Sequence, residues 1–385
     1  MHIRVRMLTV TGILAAVAVA SALGAPTQDK KAPKLDPKTE KALQVEAAAA
    51  AKMVDDVAAG QPAPDDYPFT WQYHTMKSRD GKVYVPFMLL FDKDKEKAPP
   101  AAFTYYVRVV NRAAGTENSK AVADAKSRAE KAAAVAKMDP ENPQLQEMAD
   151  KARAAVPRVE YAFEDVRMLE AGALAGGPPL SLQRAFAVAP GDYDVYFVIK
   201  QRVADAKDKK GTVKAGVLKT SITVPNYWSN DLMTSSVIIS SKVDQLNQTP
   251  AGPDAAANPY AFGTIKVTPS VDGKFTKKDE LAIFFYVYNA GVDKATNKPD
   301  VTIEYAFYQK TGATEKYFNK TQPAQLNATT LPPNFDVNAG HQLPGNIGVP
   351  LASFPEGDYR LEIKVTDKVT SKTKVENVSF SVSAS

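Results

Sequence analysis

Two short pieces of this chain occur twice, in the same order. Val159-Glu160-Tyr161-Ala162-Phe163 is echoed by Ile303-Glu304-Tyr305-Ala306-Phe307. Pro190-Gly191-Asp192-Tyr193 is echoed by Pro355-Glu356-Gly357-Asp358-Tyr359, and both lead into alternating apolar residues. Alternation with period two is the mark of a half-buried strand. The repeated order therefore predicts two copies of one β-rich domain.

Strands recur between these pieces. Phe69, Trp71 and Tyr73 alternate with polar residues, and Asp80-Gly81 marks a hairpin turn. Val83 to Phe91 follows, with Pro86 suited to an edge or a bulge. Phe103, Tyr105, Val107 and Val109, ending near Asn111, look like the counterpart of Leu281, Ile283, Phe285 and Val287, ending at Asn289. Val213 to Val224 closes the first copy, and Met233 to Ser240 opens the second. The expected class is mainly β, with two tandem immunoglobulin/fibronectin-III-like β-sandwiches. Tyr193 and Tyr359 each sit just after a turn, where a tyrosine corner places the hydroxyl to bond back to the backbone.

Spacing locates the insertions. Asn111 to Glu160 spans 49 residues and Asn289 to Glu304 spans 15, so the first copy carries 34 extra. They coincide with an Ala-rich stretch, 118–156, that reads as a helical hairpin broken at Asp139-Pro140 and Asn142-Pro143. Glu160 to Gly191 spans 31 and Glu304 to Gly357 spans 53, so the second copy carries 22 extra, within Phe318 to Gly348. A further helix is expected before Gly60, capped by Asp36 with Pro37 at its first position. Its apolar stripe is Leu43, Ala47, Ala50, Val54 and Val57.

The N-terminus reads as an export address. Arg4 and Arg6 precede an apolar run from Leu8 to Leu23, and small residues stand at Ala20-Ser21-Ala22. That is the layout of a signal peptide, here 1–22, and it is too short and Ala-rich for a membrane span. A polar stretch rich in Lys, Asp and Pro follows, with a disordered composition. The expected division is 23–60 for that stretch and the helix, 61–227 for sandwich 1 and 228–385 for sandwich 2. Removing the signal lowers the net charge from +5 by two arginines. So small an excess predicts no nucleic-acid partner. The chain has no Cys, so no disulfide supports either domain and each needs an apolar core.

Several pieces carry a family resemblance. They are the Y-V-P-F at Tyr84, the A-P-G-D-Y at Ala189, the V-P closure at Val224, Phe285-Tyr286-Val287-Tyr288-Asn289, and the ending from Pro355. Together they resemble the tandem β-sandwich regions of exported bacterial proteins of the kind attached to GWxTD-type domains. The likeness runs from about Tyr67 to Val382, and the G-W-x-T-D segment itself is absent. What it implies is an exported, non-catalytic module in the periplasm or outside the cell.

The residues give chemistry little to work with. His74 and His341 lack acids or Cys at ligand spacing, so neither a metal nor another cofactor is expected. No nucleophile elbow or phosphate loop occurs. Glu160 and Glu304 alternate with core residues and should point outward, and Asp92-Lys93-Asp94-Lys95-Glu96 reads as a charged loop rather than a calcium loop. Asp192 and Asp358 read as turn residues.

The candidate binding surface is aromatic. With Ile283, Phe285 and Val287 facing the core, Phe284, Tyr286 and Tyr288 occupy the other face, with Tyr308 beside them. Tyr227 and Trp228 lie at the domain joint. Such a row is either covered by another part of the chain or open to a ligand. Three functions follow in order: an interaction or scaffold module of the cell envelope with a protein partner, a carbohydrate-binding module using the outward aromatics, or an enzyme with its site in the interdomain cleft.

Overall fold

The computed structural model describes residues 36–91, 98–155, 161–174, 179–202 and 213–384, with the side chains at 114–123, 126, 153 and 171 left out. The expected signal peptide, the stretch after it and the Asp92–Glu96 loop lie outside the described residues, as do Val159 and Glu160. The fold is mainly β and built as sandwiches.

In sandwich 1, one sheet centres on β3 (Val83–Phe91). It is flanked on one side by β1 (Phe69–Tyr73) and β2 (Met76–Lys77), laid end to end, and on the other by β6 (Ser181–Val188). The facing sheet has β5 (Phe163–Glu170), β4 (Ala102–Asn111), β7 (Gly191–Gln201) and β8 (Ala215–Val224) in the order β5-β4-β7-β8. Pro86 lies in the central strand, not at an edge. It stands beside the break between β1 and β2, where its carbonyl accepts from the His74 amide at 2.9 Å. A residue without an N–H suits the one place where the flanking ladder is interrupted.

Sandwich 2 repeats the frame. One sheet centres on β15 (Glu280–Tyr288), between β9 (Met233–Thr234) with β10 (Ile238–Ser240) and β21 (Leu343–Pro350). The other runs β14-β23-β22-β18-β19, built from Lys274–Thr276, Lys372–Ser383, Gly357–Asp367, Val301–Thr311 and Thr314–Lys320, with β20 (Ala324–Leu326) also on β18. Between β10 and β14 the chain makes an excursion. It holds a small sheet of β11 (Lys242–Gln245), β12 (Ala261–Phe262) and β13 (Ile265–Thr268), and a short helix at Pro253–Ala257.

One of the two repeated pieces is a true equivalence. Tyr193 donates its hydroxyl to the Ala189 carbonyl at 2.8 Å, and Tyr359 donates to that of Pro355 at 2.6 Å. Both are tyrosine corners at the start of matching strands, β7 and β22. The other piece is not equivalent. Ile303–Phe307 lies in the central strand β18, whereas Tyr161-Ala162-Phe163 leads into the edge strand β5. Pairing with the corner strands makes β18 the partner of β4, and β15 the partner of β3. The expected match of Phe103–Val109 with Leu281–Val287 is therefore displaced by one strand. Any buried strand shows the same alternation, so pattern alone could not assign the slot.

The helical insertion is present and starts earlier than 118. α2 (Arg112–Met138) leaves β4 directly, and α3 (Pro143–Ala154) packs back on it through Ala136 and Ala149. It fills the link between β4 and β5, residues 112–162; the same link in sandwich 2 is Gly312-Ala313. The N-terminal helix α1 (Pro37–Ala58) begins as expected, with the Asp36 carboxylate accepting from the amides of Lys38 and Thr39 at 3.1 and 3.0 Å. It ends at Gly60, whose φ of +92° favours glycine. α1 covers the outer face of β4, β7 and β8, setting Ala50, Val54 and Val57 on Tyr106, Tyr196, Val198 and Val217.

Candidate functional site

The aromatic row was assigned to the correct face of β15. Leu281, Ile283, Phe285 and Val287 enter the core of sandwich 2, and Phe284, Tyr286 and Tyr288 turn the other way. That other face is closed. The three are 5%, 1% and 4% exposed, and they belong to the same apolar cluster as the core of sandwich 1. The open aromatic platform that a carbohydrate-binding module needs is thus absent at this row. Covering it removes roughly 150–250 Å² of apolar surface per ring from water, which an exposed row would forgo.

Two parts of the chain do the covering. From the excursion, Phe262 stacks on Phe284 with ring centres 4.8 Å apart and planes 10° from parallel, and it meets Tyr286 edge-on. From the joint, Tyr227 lies against Tyr288 at 4.9 Å and is 2% exposed. Tyr227 is therefore an interdomain packing residue. Trp228 remains 38% exposed, with the Lys77 ammonium 5.4 Å from its ring centre.

Beneath the rings, polar groups join the sandwiches at the β1–β2 break. Thr75 donates its amide to the Ser236 hydroxyl at 2.8 Å, and the Ser236 amide donates to the Thr75 carbonyl at 3.0 Å. Tyr227 donates to the Thr75 carbonyl at 3.1 Å, with its oxygen 2.7 Å from the Thr75 hydroxyl. The Lys77 amide donates to the Tyr288 hydroxyl at 3.0 Å, and Tyr84 donates to the Pro259 carbonyl at 3.0 Å. Buried polar groups need such partners, and two strands interrupted at one point expose the backbone that supplies them.

His74 sits at the centre of this break. Its Nδ1 is 3.1 Å from the Tyr260 hydroxyl, which itself donates to the Pro86 carbonyl at 3.2 Å. With the Tyr260 hydroxyl donating to Pro86, the contact is a hydrogen bond when His74 carries its proton on Nδ1 and donates it to Tyr260. Burial holds the imidazole down at about 4, so the ring is neutral. Burial also pushes the Tyr286 and Tyr288 phenols upward, and Tyr227 to about 12. None of these groups is poised for acid–base work near neutral pH. Among the described residues, no three His, Cys, Asp or Glu side chains converge on a metal position.

Tyr308 lies elsewhere. It projects from β18, in the other sheet, under the Arg360 guanidinium at 4.2 Å and beside Tyr317 at 5.9 Å. Glu304 faces outward and pairs with Lys364 at 3.6 Å. His341 accepts from the Asp336 amide at 3.0 Å inside its loop. Asp192 accepts from the Thr223 hydroxyl at 2.6 Å beside its turn.

The sequence reading missed Glu46. It lies in α1, 3% exposed, and forms a buried ion pair with Lys200, which is fully buried. The Thr104 hydroxyl donates to the same carboxylate at 2.7 Å. Glu46 lies one residue before Ala47, on the flank of the apolar stripe, which was the only available signal.

No family model matches the chain, and no curated protein sequence matches it. Three solved structures are similar in part. Dimeric latent PorU from Porphyromonas gingivalis matches 85% of this chain and 21% of its own, at 8% identity and a TM-score of 0.27. Salmonella alpha-2-macroglobulin reacted with methylamine matches 84% and 17%, at 12% identity and 0.19. A calcium-binding mutant of Bacteroides uniformis beta-glucuronidase 2 matches 83% and 28%, at 9% identity and 0.23. The chain thus spans less than a third of each. Likenesses this loose bear on neither chemistry nor partners.

Proposed function

We propose that the protein is an exported, non-enzymatic interaction or scaffold module of the bacterial cell envelope, with the α2–α3 arm as its contact element for a protein partner. The observation that carries this reading is the contrast between row and arm. The aromatic row is used up in joining the sandwiches, whereas the arm keeps large apolar side chains in solvent: Met138 is 84% exposed, Met148 62% and Val135 48%. Flexible Met side chains suit a surface that adapts to a partner. The basic start and apolar run of the first 22 residues support export. Among the described residues no helix is long and apolar enough to cross a membrane.

Co-purification from the native envelope fraction tests the reading. Deleting residues 119–155 is expected to release the bound protein while the sandwiches stay folded. If every partner stays bound to the deleted form, the arm is not the contact element. Processing of the first 22 residues is checked by the N-terminal mass of the exported protein.

A further inference from the structure

All the sulfur of this chain lies in methionine, since it has nine Met and no Cys. Met1 and Met7 fall outside the described residues, and most of the others are sheltered. Met76 and Met88 are 0% and 2% exposed in the core of sandwich 1. Met88 Sδ also accepts from the Gln183 side-chain amide at 3.9 Å. Met233 packs against the same core, and its Sδ accepts from the Ser229 hydroxyl at 3.5 Å. Met53 packs against the cluster beneath α1, and Met168 is half-buried on β5. The remaining two are Met138, the last residue of α2, and Met148 in α3. At 84% and 62% they are the most exposed large apolar side chains among the described residues, ahead of Tyr317 at 51%.

The arm holds its own shape without these two side chains. Ala136 and Ala149 are buried between its helices, and the Gln146 side chain donates to the Ala136 carbonyl at 3.2 Å. A thioether is oxidised according to its access to the oxidant. With hydrogen peroxide, the sulfur lone pair attacks one peroxide oxygen. An S–O bond forms, the O–O bond breaks, sulfur loses two electrons, and the second oxygen leaves as water. The product sulfoxide is polar, and it disrupts contacts that need an apolar side chain. Where the sulfur already lies in solvent, the fold loses nothing by the change. A partner that buries the same side chain must desolvate the new polar group.

We infer that Met138 and Met148 are the oxidation sites of this chain, and that peroxide at these sulfurs releases the partner of the arm. The second half rests on the arm being the contact element. Fold and contact respond separately, because the sulfurs that the core needs are the ones it shelters. A methionine sulfoxide reductase, drawing two electrons from a dithiol, returns the thioether and water.

The test treats the mature protein with a limiting amount of hydrogen peroxide, then with catalase to remove the excess. Peptide mass mapping should find Met138 and Met148 oxidised at least about tenfold faster than Met76 and Met88. Equal rates, or Met168 or Met233 leading, would overturn the assignment of the sites. The partly oxidised protein is then mixed with native envelopes from cells that lack it, and the bound and unbound pools are mapped. Sulfoxide at Met138 and Met148 should be depleted at least about tenfold in the bound pool, as loss of a buried Met contact implies. Equal sulfoxide content in the two pools would overturn the switch. Depletion confined to Met76 or Met88 sulfoxide would also overturn it, since release would then follow unfolding of the core. The chain lacking 119–155 separates this inference from the role of the arm. If that chain is released while the oxidised protein stays bound, the switch falls and the arm keeps its role. If that chain stays bound, the arm loses its role and the switch falls with it.

Discussion

The sheet holding β4, β7 and β8 in sandwich 1 and the sheet holding β18, β22 and β23 in sandwich 2 share one frame and meet water differently. Strand register aligns them through the corner tyrosines, Tyr193 opposite Asn111 and Tyr359 opposite Gln309. In that alignment Tyr106, Tyr196, Val198 and Val217 correspond to Glu304, Glu362, Lys364 and Val375. The first set lies under α1, and the second is a largely charged outer face. Lys200, fully buried in sandwich 1, corresponds to Thr366. The inward residues are apolar in both. What differs between the copies is the cover, and the cover determines which outward residues each sheet tolerates.

The largest expected effect breaks the cover. Glu46→Ala leaves the Lys200 ammonium buried without its partner, at a cost of about 3–5 kcal/mol. Denaturant unfolding should show that loss, and limited proteolysis should cut α1 first. Replacing both partners, Glu46→Leu with Lys200→Met, should restore most of the stability; failure to do so would mean the pair does more than fill its site.

The second concerns the seam, where the copies stop resembling each other. His74 is neutral when folded, with its pKa at about 4, and takes a proton near 6.5 when unfolded. The unfolded chain therefore binds more protons between those values. Stability is full above about 6.5 and falls as pH drops toward 4, by roughly 3 kcal/mol in all. Unfolding curves across that range should flatten in His74→Gln; an unchanged slope would remove His74 as the cause.

A smaller effect tests what the copies share. Tyr193→Phe and Tyr359→Phe should each cost roughly 1 kcal/mol, seen as a few degrees of thermal midpoint. Loss in only one of them would show that the corners are alike in geometry alone. Smallest of all, Lys364→Ala removes an exposed pair and should stay within about 0.5 kcal/mol, against the large cost at Glu46.

Legibility in the sequence followed the range of each interaction. The tyrosine corners were readable because hydroxyl and acceptor lie four residues apart. The faces of β15 were readable because alternation is local. Its cover was not, since Phe262 and Tyr227 reach it through tertiary packing. The E-Y-A-F match misled because alternation names a strand without naming its neighbours. Glu46 was invisible as a buried charge because its partner is 154 residues away.

The shared apolar cluster at the seam makes the two sandwiches poor candidates for separate lives. Cut near Trp228, sandwich 2 would present Phe284, Tyr286 and Tyr288 to water as one sticky strip, and sandwich 1 would lose the support of Tyr260 and Phe262. Heating the intact chain should therefore melt both in a single transition. What looks in the sequence like a tandem of two beads is thus expected to unfold as one block.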